Sequence, residues 1–192
     1  MNLWLRLLWA TFSWRFRSRL TMNQVGIRSF RVWPTDLDVF NHMNNGKFLT
    51  LQDLGRLDLM RRSGAWQTYK KLGWYPVVVA ATITYRKSLQ PWQKFEIETK
   101  IIGWDDIAFY IELRFTVGGE MYSNSVIRIR FLKKTRGILT TDEVAQAGPD
   151  GKGGNGWPWP RPVLPAWVSE WAETTSMPKG KEPAPSIWQT DL

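Results

Sequence analysis

The sequence predicts an α+β domain in which antiparallel strands follow one buried helix. Two observations carry this prediction. Residues 45–62 are apolar almost all round a helix, as expected of a helix that is covered on every side. From Pro76 onward, segments rich in Val, Ile, Thr, Phe and Tyr alternate with turn residues. At 192 residues the chain has room for one such domain with a real core, plus extensions.

The first strand and the buried helix each have a local signal. Residues 25–33 alternate loosely between apolar and polar side chains and end at Pro34, which predicts a strand. Asn44 or Asn45 is a good N-cap for the helix that follows. Gly55 lies inside that helix and would let a sheet or a neighbouring helix approach closely.

A short helix and four strands are predicted after the buried helix. Ser63-Gly64 ends the buried helix, and residues 65–73 form the short second one. The strands are predicted at 77–86, 94–104, 107–117 and 120–133, separated by the turns Gln90-Pro91, Asp105-Asp106 and Gly118-Gly119. A sheet curled round one helix leaves an edge strand uncovered, and a second copy of the chain can pair with it.

Chemistry concentrates in residues 36–56, where carboxylates, a His and two Asn form a turn that passes directly into the buried helix. Asp38 and His42 lie just ahead of the helix N-terminus. That end carries free amides and partial positive charge, so it can hold an anion or polarise a carbonyl oxygen. A carboxylate beside such donors suits acyl transfer, because one group attacks or activates water while the amides stabilise the oxyanion.

The residue order in this turn is Asp-x-Asp-x-x-x-His-x-Asn-Asn, followed by an aromatic residue and a helix. It resembles the 4-hydroxybenzoyl-CoA thioesterase-like branch of the hotdog-fold acyl-CoA thioesterases, over roughly residues 24–140. The resemblance implies a hotdog fold, in which an antiparallel sheet of five to six strands wraps around a central helix. It also implies a homodimer or homotetramer with active sites at the dimer interface.

The same resemblance implies roles for individual residues. Asp38 is the catalytic carboxylate, acting as nucleophile or general base on the thioester, with His42 and Asn45 as further catalytic residues. The first-turn amides of Asn45, Gly46 and Lys47 form the oxyanion hole, and Asn44, Gly46 and Lys47 position the substrate or the oxyanion there. The substrate is an acyl-CoA or an acyl carrier protein thioester, so coenzyme A enters only as part of the substrate and no separate cofactor is expected.

Asp53 is the second candidate carboxylate, because some hotdog branches use a carboxylate on the central helix. It stands three residues before Arg56, so a plain salt bridge on the helix face is the alternative. Asp105 and Asp106 are interpreted as turn formers.

Composition excludes several other chemistries. The chain has no cysteine, which excludes disulfides, thiolate nucleophiles and Cys-based zinc sites. It has one His and no clustered ligand spacing, so we expect no metal site. No Gly-x-Ser-x-Gly elbow exists for a Ser-His-Asp triad. The hydrophobic fraction of 43% and the mean hydropathy of −0.33 fit a soluble globular protein, expected in the cytoplasm.

Positive charge is concentrated in residues 1–35, whose first part, residues 1–22, is predicted to be an N-terminal arm. The net charge is +9, and residues 1–35 contain no acidic residue but carry Arg6, Arg15, Arg17, Arg19, Arg28 and Arg31. Residues 1–20 predict an amphipathic helix, with its apolar side formed by Leu5, Leu8, Trp9 and Phe12 and its polar side by Arg6, Ser13 and Arg17.

Two partners fit the apolar side of the arm. One is an anionic membrane surface, which would make the protein peripheral on the membrane. The other is the domain itself or a partner subunit. The apolar run is too short and too interrupted to span a bilayer, it has no signal cleavage site, and no nucleic-acid motif accompanies the charge.

The C-terminal part, residues 142–192, differs in composition from the predicted domain of residues 23–141. It holds most of the prolines and a Gly-rich run at 148–156 that reads as a linker. Residues 157–172 carry too many aromatics for a purely disordered tail, so we expect an extended segment over an apolar groove, with a mobile tail as the alternative.

The function predicted from sequence is thioester hydrolysis at Asp38. Its alternative is a non-catalytic hotdog module that binds acyl thioesters or acyl carrier protein at a membrane surface. A membrane-associated scaffold organised by the arm and the Trp-Pro tail is the second rival.

Overall fold

The structure is a computed structural model that describes residues 3–148, 161–178 and 183–186. Along the chain the helices and strands are α1 (Leu3–Ser13), β1 (Gly26–Arg31), α2 (Asn45–Arg62), α3 (Ala65–Leu72), β2 (Trp74–Tyr85), β3 (Lys94–Trp104), β4 (Phe109–Val117), β5 (Glu120–Lys133), α4 (Thr141–Ala147) and α5 (Ala166–Thr174). Short 3-10 turns follow α1 at Trp14–Phe16 and precede the motif loop at Pro34–Asp36.

The five strands form one antiparallel sheet in the order β1-β3-β4-β5-β2. Consecutive strands β3, β4 and β5 are joined by tight turns, whereas β1 and β2 form the two edges. The predicted helix at 45–62 and the strands at 94–104 and 120–133 have the predicted bounds, and β2 begins three residues earlier than predicted. The mixed α+β architecture predicted from the sequence is therefore confirmed.

Helix α2 packs across one face of the sheet and forms the core with it. Phe48, Leu51 and Leu54 are at most 2% exposed. At Gly55 the sheet comes so close that an added Cβ would lie 2.7 Å from Thr99 Oγ1 and 3.0 Å from Ile97 Cγ2. The predicted close approach at this glycine is thus present, and the sheet is its partner.

Helix α1 packs on the domain with its polar side. Arg6 and Ser13 are 3% and 8% exposed, and Ala10, which lies between them, is 1% exposed. Arg6 pairs with Asp36, and Ser13 Oγ accepts a hydrogen bond from Arg28 Nη2 at 2.8 Å. The interpretation in which the apolar side of α1 covers this domain is therefore wrong for the described chain.

A buried carboxylate on α2, Asp58, joins the arm to the central helix. Its oxygens accept from Arg28 Nη1 at 2.7 Å, from Arg17 Nη1 at 2.8 Å and from Arg62 Nη1 at 3.2 Å. Asp58 is 1% exposed, so the three guanidinium groups replace the water that its charge would otherwise need. Arg62 reaches Asp58 from the next turn of α2, and two arginines from outside the helix join it.

The C-terminal extension packs on the other face of the sheet. Residues 161–165 are extended, with Leu164 close to Gly103, but residues 166–174 form helix α5. Val168 and Ala172 of α5 are buried in a second apolar cluster with Ala108, Tyr110 and Val126. The predicted extended segment is therefore partly helical, and residues 157–160, like most of the predicted linker, lie outside the described residues.

Candidate active site

The motif loop is a narrow hairpin that leads into the N-terminus of α2. At its base the Asn44 amide donates to the Asp36 carbonyl oxygen at 2.8 Å. Leu37 and Met43 form an isolated antiparallel bridge, and the Asp38 amide donates to the His42 carbonyl oxygen at 2.8 Å. Asn41 at the tip has φ of 60°, a left-handed conformation that Asn tolerates better than most residues.

The sequence predicts Asp38 and His42 just ahead of the helix N-terminus; the hairpin joins them through their backbones and separates both from that helix end. Asp38 and His42 are two residues further towards the hairpin tip than the pair Asp36 and Asn44, which corresponds to about 7 Å along an extended chain. His42 is half-buried, and its imidazole makes no hydrogen bond within the described part of the chain. His42 contributes its backbone to the loop, through both its amide and its carbonyl.

The Asp38 carboxylate is held by its own loop. Oδ1 accepts hydrogen bonds from the amides of Phe40 at 2.9 Å and His42 at 3.2 Å. This Asx-type arrangement orients the half-buried carboxylate without any contribution from the rest of the fold. Oδ2 has no partner among the residues that the structure describes, so one oxygen is positioned and the other is available for chemistry.

The N-terminus of α2 is capped by Asn44. Asn44 Oδ1 accepts from the Gly46 amide at 2.8 Å, and the Asn44 carbonyl oxygen accepts from the Lys47 amide at 2.9 Å. Asn44 is thus the N-cap, and of the two predicted candidates Asn45 is the first helical residue. Of the three amides implied to hold an oxyanion, only that of Asn45 has no acceptor within the described residues. The roles assigned to these residues stay predictions.

A cavity of about 140 Å³ opens beside this helix end, lined by Met43, Asn45, Phe48, Tyr85, Arg86, Lys87 and Ser88. Tyr85 Oη donates to the Asn45 carbonyl oxygen at 3.1 Å, and burial raises the pKa of its hydroxyl. Arg86 and Lys87 both contact the Glu120 carboxylate at 2.7 Å. The cavity lining therefore includes Asn45 and two cations, but neither Asp38 nor His42.

The second candidate carboxylate, Asp53, forms the predicted salt bridge with Arg56. Its side chain is 63% exposed, while that of Arg56 is 15% exposed. Desolvation lowers the pKa of Arg56, and the charge of Asp53 opposes that shift. Asp53 lies about 12 Å along the helix from Asn45, since each residue rises 1.5 Å. The structure therefore does not bring Asp53 to the helix N-terminus.

The first Asp of the motif, Asp36, has a structural role that the sequence reasoning missed. It is 2% exposed and contacts the Arg6 guanidinium at 2.5 Å through Oδ2 and 3.2 Å through Oδ1. Oδ2 also accepts from the Trp33 amide at 2.9 Å. Asp36 therefore ties α1 to the base of the hairpin that carries Asp38. The sequence did hold a signal for this ion pair: the N-terminal arm carries arginines but no acidic residue, so their counter-charges must come from elsewhere in the chain.

A separate apolar cavity of about 90 Å³ lies between the C-terminal half of α2 and the sheet. Its lining includes Met60 of α2, Phe131 of β5, and Pro76 and Val78 of the edge strand β2. Arg56 is the only cation in this lining. The cavity can take an apolar group, and β2 lies at its side.

Within the described residues, no three or more His, Asp or Glu side chains are grouped so that they could hold a metal ion. None of the helices in these residues combines the length and the apolar character needed to cross a membrane. The expectations of no separate cofactor, no nucleic-acid partner and a cytoplasmic location stay predictions.

A five-stranded antiparallel sheet packed against a central helix, with a carboxylate-bearing hairpin at the start of that helix, defines the class of hotdog-fold proteins. A family model, described as the thioesterase-like superfamily, matches residues 32–172. The chain belongs to this family.

Comparison with known proteins agrees with this assignment. The Protein THEM6 of Xenopus laevis is 41% identical over 99 residues, which are 52% of this chain and 48% of that protein. The chain spans about half the length of the curated relatives it matches. The crystal structure of the YbaW probable thioesterase from Escherichia coli is 21% identical, has a TM-score of 0.58 and covers 60% of this chain and 90% of its own.

A gentisyl-coenzyme A thioesterase is 17% identical with a TM-score of 0.54, and the match covers 59% of this chain and 94% of that structure. At these identities the two solved structures show the shared hotdog fold, and the predicted fold class is thereby confirmed.

Proposed function

We propose that this protein hydrolyses an acyl thioester, with Asp38 as the reacting carboxylate. The observation that carries the proposal is the hydrogen bonding of the two oxygens of that carboxylate. Two backbone amides hold Oδ1, while Oδ2 has no partner in the described residues. The carboxylate is thus oriented by a loop that belongs to the same motif as the capped helix N-terminus.

The proposed chemistry has two forms. As a nucleophile, Asp38 Oδ2 attacks the thioester carbonyl carbon, the C–S bond breaks, and the thiolate leaves and takes up a proton. Water then cleaves the mixed anhydride to give the free acid and restore the carboxylate. As a general base, Asp38 takes a proton from water while the water oxygen attacks the carbonyl carbon; the C–S bond then breaks and the departing thiolate takes up the proton.

The oxyanion that forms in either case needs a donor at the helix N-terminus. The Asn45 amide is the free donor there, and the partial positive charge of the helix end adds to it. Asn44 orients this amide as N-cap, and Gly46 and Lys47 close the first turn. In this account Asn45 acts through its backbone, whereas His42 keeps the hairpin closed beside Asp38.

The carrier proposed for the acyl group is coenzyme A, with acyl carrier protein as the alternative. Arg86 and Lys87 line the cavity at Asn45 and are exposed, so they can meet phosphate groups after exchanging Glu120. The solved gentisyl-coenzyme A thioesterase has the same fold, which makes a coenzyme A thioester the first substrate class to test.

A homodimer through the β2 edge is part of this proposal. β2 has no neighbour on its outer side in the described chain, and Tyr75, Val78 and Val79 on it are 41–47% exposed. A second copy that pairs along this edge would continue the sheet and bring further residues towards the cavity at Asn45. Light scattering should then give at least twice the chain mass of 22.4 kDa, and Val79→Lys should reduce it. A monomeric wild type would contradict the dimer.

Thiol release from a panel of short, long and aromatic acyl-CoAs tests the activity. Because the chain has no cysteine, a thiol reagent reports only the released coenzyme A. We expect wild-type turnover on at least one member of the panel, and a loss of about 10²–10⁴-fold for Asp38→Asn. Asn keeps an oxygen acceptor for the Phe40 and His42 amides, so the loop is preserved and only the charge is lost.

Single-turnover hydrolysis in ¹⁸O-water identifies the nucleophilic form when ¹⁸O appears in Asp38, because only that form can label the protein. A nucleophilic Asp38 takes up ¹⁸O in its own carboxylate after the anhydride is cleaved at the Asp carbonyl. A general base leaves the protein unlabelled, with ¹⁸O in the released acid alone.

The second candidate function is a non-catalytic acyl-thioester or acyl-carrier binding module at a membrane surface. One observation favours it: the cavity at Asn45 does not include Asp38, and two of the three first-turn amides are occupied. A non-hydrolysable thioether analogue of acyl-CoA distinguishes the two. Tight binding of the analogue, with no thiol release from any thioester, would favour the module over the hydrolase.

A further inference from the structure

The outward face of α1 and of the 3-10 turn after it carries six large apolar side chains. They are between 55% and 79% exposed: Trp4, Leu5, Leu8, Trp9, Phe12 and Phe16. With 3.6 residues per turn, those on α1 cover about 140° of the helix circumference. Single exposed apolar residues are ordinary, but a continuous stripe of this kind marks an interaction surface. We call these six residues the apolar stripe.

The fold holds the apolar stripe outward. The opposite side of α1 is bound to the domain through Arg6 to Asp36 and Ser13 to Arg28, and Arg17 just after the helix is bound to Asp58. If α1 rolled to bury the stripe, Asp36 would lose its guanidinium partner in a buried site, which is strongly unfavourable. The stripe therefore stays open to a partner from outside.

The charges beside the stripe select the partner. Arg15 and Arg19 are exposed and lie over the Trp14 ring at 5.6 Å and 5.5 Å, and neither has a carboxylate partner in the described residues. A second copy of the same face would bring like charges together. An anionic surface is complementary to them.

A cavity of about 290 Å³ between α1 and β1 adds cations at the edge of the stripe. Trp9 forms one wall and thus belongs to both features. Arg31 and Lys94 line the opposite side and are exposed. The Lys94 ammonium has no hydrogen bond or ion pair within the part of the chain that the structure describes. An open pocket with two exposed cations beside an indole, of which Arg31 also donates to the Trp92 carbonyl oxygen at 2.9 Å, suits a phosphate group that lies at an apolar boundary.

We propose that this face binds the surface of an anionic lipid bilayer. The apolar stripe enters the boundary between headgroups and acyl chains, and Arg15, Arg19, Arg31 and Lys94 meet the lipid phosphates. The inference goes beyond the proposed hydrolysis and does not depend on it. Because Arg6 joins α1 to Asp36, docking would also hold the Asp38 hairpin at a defined place relative to the lipid.

Flotation of the 192-residue chain with vesicles tests the docking. We expect binding to vesicles of phosphatidylcholine with phosphatidylglycerol, much weaker binding to phosphatidylcholine alone, and release at high salt. The double variant Leu8→Glu/Phe12→Glu should lose at least about tenfold in affinity, since it puts charges into the boundary region. The matched control Ile107→Glu/Ile138→Glu changes apolar residues of similar exposure elsewhere and should bind like the wild type.

A dye at a single position tests the orientation. Since the chain has no cysteine, Leu8→Cys carries one environment-sensitive label, and Ile138→Cys carries the same label away from α1. We expect a blue shift on anionic vesicles for the label at position 8 and none for the label at position 138. Circular dichroism checks that each variant is folded.

Three results would overturn the proposal. The first is no binding of the folded wild type to anionic vesicles. The second is equal binding by the Leu8→Glu/Phe12→Glu variant, or equal binding to neutral vesicles. The third is self-association without lipid that this double variant abolishes, which would make a second copy the occupant of the stripe.

Discussion

The N-terminal arm and the C-terminal extension both carry Trp-rich helices, and they pack on the domain in opposite ways. Helix α1 buries Arg6 and Ser13 and exposes its large apolar residues, whereas α5 buries Val168 and Ala172 and exposes Glu170. The difference lies in the surface that receives each helix. The arm meets buried carboxylates, and the extension meets an apolar patch of the sheet. The pattern of a helix alone therefore does not decide which side faces inward.

The contrast also concerns what each contact contributes. The arm is held by charge-assisted hydrogen bonds, which require defined partners and so fix one orientation of the helix. In the extension, the charged contact of Arg161 with Asp106 lies before the helix, and α5 itself packs mainly by apolar burial around Val168, which is less directional. Helix α1 therefore leaves its apolar stripe exposed, whereas α5 buries its apolar face. For this reason the arm, and not the extension, has a surface available for a further partner.

The largest expected effect comes from breaking the charged contact of the arm. Asp58→Asn leaves Arg28 and Arg62 buried without their counter-charge, so we expect the free energy of unfolding to fall by about 3–5 kcal/mol. Urea denaturation measures it. The matched control on the same helix is Asp53→Asn, whose exposed carboxylate should contribute at most about 1 kcal/mol through its pair with Arg56. Equal losses for the two variants would mean that the buried cluster does not anchor the arm.

The extension should respond to a change in apolar volume. Val168→Ala removes two buried methyl groups and leaves a cavity, and we expect a loss of roughly 2 kcal/mol that is insensitive to salt. Val163 is 94% exposed, so Val163→Ala serves as the control and should leave stability unchanged. Thermal unfolding of both variants at low and high ionic strength measures the difference. An unchanged Val168→Ala protein would show that α5 is not anchored at this position.

The smallest effect is electrostatic and lies at the start of the extension. Glu143 accepts a hydrogen bond from the Thr140 amide in the capping box of α4, and this bond is the main cause that lowers the pKa of its carboxyl. A lowered folded-state pKa stabilises the fold above the unfolded value of about 4.3, and the contribution is lost as the pH falls through the folded value.

Glu143→Gln keeps an acceptor and removes the titration. The wild type should therefore be more stable than the variant near neutral pH, and the difference should shrink as the pH falls below about 4. Chemical denaturation at a series of pH values measures it. A difference that grows towards acid would contradict the sign of the pKa shift.

Much of the fold could be predicted because periodicity depends on the chain itself. The apolar circumference of residues 45–62 and the turns at Gly118-Gly119 mark elements whose neighbours need not be known. Asp38 and His42 were brought together by a local hairpin, which sequence can also indicate. The side of α1 that faces inward could not be predicted in this way, because it depends on the contact of Arg6 with Asp36, thirty residues away.

The sequence did hold a signal for the buried charges. Asp58 stands in a helix that the pattern predicts to be buried all round, and a buried carboxylate needs partners. Arg62 is within reach on the same helix, but Arg17 and Arg28 can be found only by folding the chain. Helix α5 was not predicted for a related reason: its apolar face is short, and it is buried only because it packs on the outer surface of the sheet.

The most direct test of the central claim is the ratio of kcat/KM for two isosteric variants, Asp38→Asn and Asp53→Asn, on the best acyl-CoA found by thiol release. Both changes remove one carboxylate charge, and Asp53 is exposed and distant from the helix N-terminus. The account predicts that Asp38→Asn loses about 10²–10⁴-fold while Asp53→Asn stays close to the wild type. Turnover retained by Asp38→Asn and lost by Asp53→Asn would contradict it and would place the reacting carboxylate on the central helix.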